Sequence, residues 1–167
     1  IIFSQSSFTL AIFSLLGLPK NIMLNAFVKH KIAIVPTMYV LTEKKRPKLT
    51  ASQNKIYDMC VETLHLCMHE HYEDCPWREQ ALYAMDSRNQ MLCGYYAFGE
   101  YAFPRACLLL MSKDNRKDGL LSICFPNADE LTILSFSLHY FTSVYEYTVH
   151  SGDLSLVREI YPKLVSI

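Results

Sequence analysis

The sequence carries no net charge, because sixteen Lys and Arg balance sixteen Asp and Glu in 167 residues. Without a basic field there is little to hold a phosphate backbone, so nucleic acid is not an expected partner. No acidic tail marks a solvating segment. A long hydrophobic run is also lacking. The longest, Phe8 to Leu18, is about half of the ~20 residues that cross a bilayer, and Thr9 and Ser14 interrupt it, so no membrane span is expected. An initiator Met and a basic leader are both missing, and a chain that starts Ile1-Ile2-Phe3 reads as the cut end of something longer.

Three nucleotide and nucleophile motifs are absent: GxGxxG, GxxxxGK[ST] and GxSxG. Nucleotide-binding and nucleophile-elbow enzymes lose their main support with them. There is no CxxC pair either. The six cysteines (Cys60, Cys67, Cys75, Cys93, Cys107, Cys124) are scattered through apolar segments, as expected of reduced, buried thiols in an intracellular, cytoplasmic protein. What remains is globular: 51% apolar against 19% charged residues, at the length of one ordinary domain.

Lys31 to Thr42 is rich in β-branched residues and predicts a strand, and Glu43-Lys44-Lys45-Arg46-Pro47-Lys48 reads as a solvated, charged linker. A boundary is placed there, separating residues 1–48 from a helical domain over 49–167. The first segment is either the end of a β domain or unrelated sequence.

Thr50 with Gln53 forms a possible capping box, and Tyr57, Val61, Leu64 and Met68 then lay one apolar stripe along a helix from about Gln53 to His69. Helical spacing predicts a second helix from about Trp77 to Phe98, stopped by Gly99, and a third from Pro104 through Met111. Leu120 to Phe125 reads as short and extended. Ile133, Phe136, Tyr140 and Val144 predict a helix over Thr132–His150; Ser151-Gly152-Asp153 closes it and can cap the next, Leu154 to about Leu164, which Pro162 could shorten. The fold class is all-α. Apolar residues on more than one face of several helices imply that further helices complete the packing.

The densest chemistry is Glu73-Asp74-Cys75-Pro76-Trp77-Arg78-Glu79, followed by Asp86. On a continuous helix Glu79 and Asp86 would share a face, ~10 Å apart along the axis. Asp74 would sit on the entering loop, and Arg78 offers a planar fork for a carboxylate or a pair of sugar hydroxyls. Clustered carboxylates oppose one another's ionisation, which can keep the least solvated one protonated as a general acid, and Glu79 is the candidate. The competing reading has Glu79 and Asp74 merely favoured at a helix N-terminus, with Arg78 pairing on the surface. Trp77, Tyr83, Tyr95 and Tyr96 flank the cluster in sequence; sugars stack C–H faces on such rings, although a ring taken alone is more often packing.

A second cluster, His65-Leu66-Cys67-Met68-His69-Glu70-His71 with Cys75 beyond, holds the atoms zinc prefers. It lacks the His-Glu-x-x-His pattern, and helix-end histidines with ordinary hydrogen-bond partners are the better reading. No metal or other cofactor is expected.

Asp74-Cys75-Pro76-x-Arg78-Glu79 followed by Asp86 resembles the family 78 glycoside hydrolases, the α-L-rhamnosidases. The resemblance continues more weakly through Leu134-Ser135-Phe136-Ser137-Leu138 to the Ser151-Gly152-Asp153 turn, and covers roughly Leu49 to Ile167. It implies part of an (α/α)6 toroid of six helical hairpins, and inverting hydrolysis of terminal α-L-rhamnosides. It makes Glu79 the general acid and puts Asp74, Arg78 and Asp86 around the rhamnose hydroxyls, with Tyr83 and Trp77 as aromatic walls. Where the family often has Leu-Gly-Trp, this chain has Ala81-Leu82-Tyr83-Ala84-Met85, so an indole is replaced by Tyr83. The family's general base lies in the later half of the toroid, beyond this chain. The chain alone is therefore expected to be inactive and poorly soluble. A non-catalytic carbohydrate-binding or remnant module is the alternative from another class, and another glycosidase or lyase on the same toroid is a third.

Overall fold

A computed structural model describes residues 39–129 and 131–167. Most of the strand expected over Lys31–Thr42 lies outside them, and its last four residues, 39–42, form no strand.

The capping box at Thr50 forms as its sequence requires. The Thr50 hydroxyl accepts the Gln53 backbone N–H at 3.3 Å and the Gln53 side chain takes the Thr50 N–H at 2.9 Å. These two bonds satisfy donors that a helix start otherwise leaves bare. Helix α1 then runs Ala51–Leu66, with Val61 and Leu64 buried and Met68 buried just beyond its end.

Four more helices follow: α2 (Ala84–Ala97), α3 (Ala102–Met111), α4 (Leu134–Ser151) and α5 (Ser155–Ser166). Just ahead of helix α3, the Glu100 carboxylate takes the Ala102 and Phe103 N–H groups, and Pro104 sits in the first turn, where its missing donor costs nothing. Helix α4 ends at Gly152, whose φ of 74° is the left-handed cap a side chain would resist. Helix α5 continues through Pro162 to Ser166.

No ladder forms among the described residues; the extended stretch expected over Leu120–Phe125 makes one isolated bridge, Tyr83 with Cys124, and the fold is all-α. None of these helices is long and apolar enough to cross a membrane.

The α2 and α4 helices pack most extensively on one another. Helix α1 lies on α2, while α3 and α5 contact α4 and each other. Leu108, Tyr140 and Leu156 are completely buried where α3, α4 and α5 meet, and the Tyr140 hydroxyl donates to the Leu108 carbonyl at 2.9 Å. Burying one such side chain contributes roughly 1.5–3 kcal/mol, so this junction carries much of the unit's stability. The Arg88 guanidinium joins α2 to α4 through a two-pronged bond to Glu146, at 3.0 and 2.5 Å.

A second apolar stripe, Leu134, Leu138, Phe141, Tyr145 and Val149, runs along the exposed side of α4 at helical spacing. The charged stretch before α1 departs from the linker expected of it. The Arg46 side chain bonds Glu43 and Asp58 and lies 4.6 Å from the centroid of the Tyr57 ring. Its neighbour Lys44 gives its N–H to the Ala97 carbonyl at 2.8 Å and its Nζ to the Tyr95 carbonyl at 3.2 Å. This stretch is a strap laid over the end of α2, and opposite charges from α1 fix it there.

The cysteines also depart from expectation. All six are free, but only Cys67 and Cys107 are buried; Cys60 and Cys93 are exposed.

Candidate active site

The loop between α1 and α2 carries the acidic motif. Asp74 closes it twice: its backbone N–H donates to the Ala81 carbonyl at 3.1 Å, and its side chain accepts the Ala81 N–H at 3.0 Å. Between these anchors residues 76–79 form a turn and Gln80 takes φ of 49°, so no helix can pass through. Helix α2 starts at Ala84, seven residues later than the pattern predicts. Glu79 and Asp86 therefore do not share a helix face. Glu79 sits on the turn and Asp86 in the first turn of α2.

The turn nevertheless gathers the acidic groups. Carboxyl oxygens of Asp74 and Glu79 and the Cys75 sulfur lie within 4.8 Å of one another. The Cys75 thiol donates to Glu79 Oε2 at 3.2 Å, and Arg78 Nη2 stands 3.5 Å from Glu79 Oε1. Among the described residues this is the one grouping with the spacing a cation would need, but its atoms are already engaged with one another and with Ala81; we assign no metal to it.

Burial works against the Asp74 charge, but hydrogen bonds from the Ala81 N–H, Cys75 and Glu79 outweigh it and hold its pKa below the ordinary carboxylate value. Asp86 moves the other way. Burial raises its pKa and the negative charge of Asp74 adds to the rise. Glu79 itself is 42% exposed in its side chain, so the carboxyl that burial favours in its protonated form is Asp86. The expectation that Glu79 is the least solvated member is corrected here, because the turn carries it outward.

Tyr83 completes the group. Burial first, and then the negative charges of Cys124, Asp74, Glu79 and Asp86, push its phenol pKa up. Tyr83 meets Phe136 of α4 edge-on at 6.3 Å, and the 120–125 segment is held beside it by the Phe125 N–H on the Leu82 carbonyl at 3.2 Å. Trp77 and Arg78 project from the turn, 88% and 78% exposed. The remaining two rings do not belong here. Tyr95 is buried against Tyr101 and His150 near the far end of α2, and Tyr96 also meets His150.

The histidines of the second cluster do not all find hydrogen-bond partners among the described residues: buried His65 Nε2 has none. His69 Nδ1 pairs with Glu73 Oε1 at 2.8 Å and the His65 ring stacks on Phe98 at 4.9 Å. Glu73, 4% exposed, has its carbonyl bound by the Gln90 side chain at 2.6 Å, which fixes the strand of loop leading into Asp74. Sequence reasoning weighed Cys75 only as a possible zinc ligand beside the histidines; its position between the two acids in the motif was the available signal for its contact with Glu79.

A family model described as the bacterial alpha-L-rhamnosidase 6 hairpin glycosidase domain matches residues 50–166. No curated protein matches the chain. Among solved structures, the GH78 family rhamnosidase of Bacillus sp. GL1 is similar at 28% identity and a TM-score of 0.69, over 75% of this chain and 13% of that one. The rhamnosidase from Klebsiella oxytoca, solved with rhamnose bound, is similar at 27% identity and a TM-score of 0.66, over 78% of this chain and 26% of that one. The chain thus spans about an eighth and a quarter of those two proteins. The five helices of the described residues form part of the (α/α)6 toroid, and by this match over most of its length the chain belongs to the bacterial α-L-rhamnosidase six-hairpin glycosidase family.

Proposed function

We propose that the chain is the acid-bearing part of an inverting α-L-rhamnosidase-like glycosidase, with Glu79 as the general acid. In such a reaction one carboxylic acid protonates the leaving glycosidic oxygen while a second carboxylate, ~6.5–9.5 Å away, activates water on the opposite face of the sugar. The second carboxylate is assigned to a part of the toroid outside this chain. Asp74, Arg78, Asp86 and Tyr83 would hold the sugar hydroxyls and one ring face, and Trp77 would cover the aglycone side.

The observation that supports this reading is the Asp74–Ala81 closure: the turn it shapes holds the Asp74 and Glu79 carboxyl oxygens within 4.8 Å of one another and leaves Glu79 accessible to a leaving group. Asp74, held ionised, can take a sugar hydroxyl as an acceptor. The rhamnose bound in the Klebsiella oxytoca relative supports a rhamnoside as the substrate.

The test is release of L-rhamnose from a flavonoid α-L-rhamnoside by the longest polypeptide that carries this chain, beside its Glu79→Gln and Asp86→Asn variants. A poor leaving group depends on acid assistance, so Glu79→Gln should lose ~100-fold or more. Full activity in Glu79→Gln with collapse in Asp86→Asn would transfer the acid role to Asp86. An inactive parent that still binds rhamnose would favour the carbohydrate-binding reading.

A further inference from the structure

Cys75 lies between the two acids of the motif in sequence and beside both of them in space. Its thiol donates to Glu79 Oε2 at 3.2 Å, and its sulfur lies within 4.8 Å of the carboxyl oxygens of both Asp74 and Glu79. We propose that Cys75 is a positioning residue, whose thiol ties the Glu79 carboxyl to the Asp74 anchor and so fixes where the acid presents its proton. The inference rests on the reading of Glu79 as the acid.

The need for such a tie follows from the turn. Glu79 stands on residues 76–79 outside any helix, its side chain is 42% exposed, and its partners besides the thiol are the Asp74 carboxyl and Arg78, itself 78% exposed and 3.5 Å away. A long, exposed side chain has several rotamers open to it, and an ion pair at the surface does little to restrict them. Asp74 is the fixed point, because the Ala81 N–H and carbonyl hold it from both sides of the loop. Cys75 is the adjoining residue, so its sulfur inherits that fixed position and can restrain Glu79 from a short, rigid side chain. A thiol suits the place: it is a weak donor with one proton, which orients a carboxyl without binding it so firmly that transfer to the substrate is opposed. Pro76 immediately after it adds to the restraint by fixing its own φ.

The thiol also acts on Asp74, since hydrogen bonding from Cys75 is one of the effects that keep that carboxyl ionised. This provides a measurement on the chain itself. The Asp74 carboxyl carbon is followed by NMR against pH in the parent, Cys75→Ala and Cys75→Ser chains. Alanine removes the side-chain donor, so the Asp74 midpoint should rise; serine, which keeps a donor, should return it towards the parent. In the longest polypeptide that hydrolyses a flavonoid rhamnoside, Cys75→Ala should lower kcat about tenfold with little change in KM, and Cys75→Ser should recover most of it.

A residue that only fills space would leave the Asp74 midpoint in place and would not distinguish serine from alanine. An unmoved Asp74 midpoint in Cys75→Ala, or serine behaving like alanine in either assay, overturns the proposal. Failure of the acid reading appears elsewhere, as a fully active Glu79→Gln, and leaves the Asp74 titration readable.

Discussion

The Arg88–Glu146 pair offers the sharpest quantitative check on how the two central helices are joined. Both guanidinium contacts, at 3.0 and 2.5 Å, reach one carboxylate, and the side chains are 24% and 18% exposed. Glu146 hydrogen bonding raises the Arg88 pKa, so the guanidinium stays charged. An exposed ion pair contributes ~0.2–1 kcal/mol, while truncating one partner of a fully buried pair costs ~3–5 kcal/mol because the other charge is stranded. This pair lies between, nearer the buried limit, and bidentate geometry strengthens it. We expect Arg88→Met or Glu146→Gln alone to cost about 2 kcal/mol, lowering Tm by roughly 4–8 °C for a chain of this size. The double variant should cost less than the sum by about 1 kcal/mol or more, read from urea unfolding at constant m-value as a double-mutant cycle. Single losses below ~0.5 kcal/mol that add without coupling would refute the claim that this bond joins α2 to α4.

Two titrations complete the set. Asp153 accepts the Ser155 N–H at 2.8 Å and the Tyr147 hydroxyl at 2.9 Å, which with Arg105 lowers its pKa to about 2. A depressed carboxylate contributes stability above its unfolded pKa and loses it as pH falls through the folded value; Asp153→Asn should therefore flatten the acid side of the stability curve between about pH 4 and 2, followed by urea midpoints. Asp86 has the opposite sign: its raised pKa means that stability from this group is present below the unfolded value and lost as pH rises through the folded one. Asp86→Asn should accordingly stabilise the chain at neutral pH and do nothing below about pH 4, while sugar binding declines; an unchanged neutral Tm would contradict the burial inferred for this carboxyl.

The helical parts of the fold were legible because their signals are local. Thr50 and Gln53 announce a helix start in four residues, Val61 and Leu64 repeat at its period, and Gly152 ends α4 where a left-handed residue is needed. The start of α2 was not legible. Residues 77–83 fit a helical pattern, and what interrupts them is a pair of bonds from Asp74 to Ala81, seven residues on, with the left-handed conformation falling on Gln80 and not on a glycine or asparagine. That miss moved Glu79 from a helix face to an exposed turn. It also hid Cys75, whose role depends on the turn's geometry. The strap at 43–48 was misread for a related reason: its charges find partners in Asp58 and in the carbonyls of α2, far away in sequence.

That strap gives the unit a physical edge different from its familial one. The family match opens at residue 50, yet two carbonyls in the last turn of α2, those of Tyr95 and Ala97, are served by Lys44. A helix ends with carbonyls that have no partner of their own and with a partial negative charge, and a lysine delivered there answers both. A polypeptide trimmed to the family boundary would keep every motif residue and still let the last turn of α2 fray, shortening from its rear the helix whose front presents Asp86.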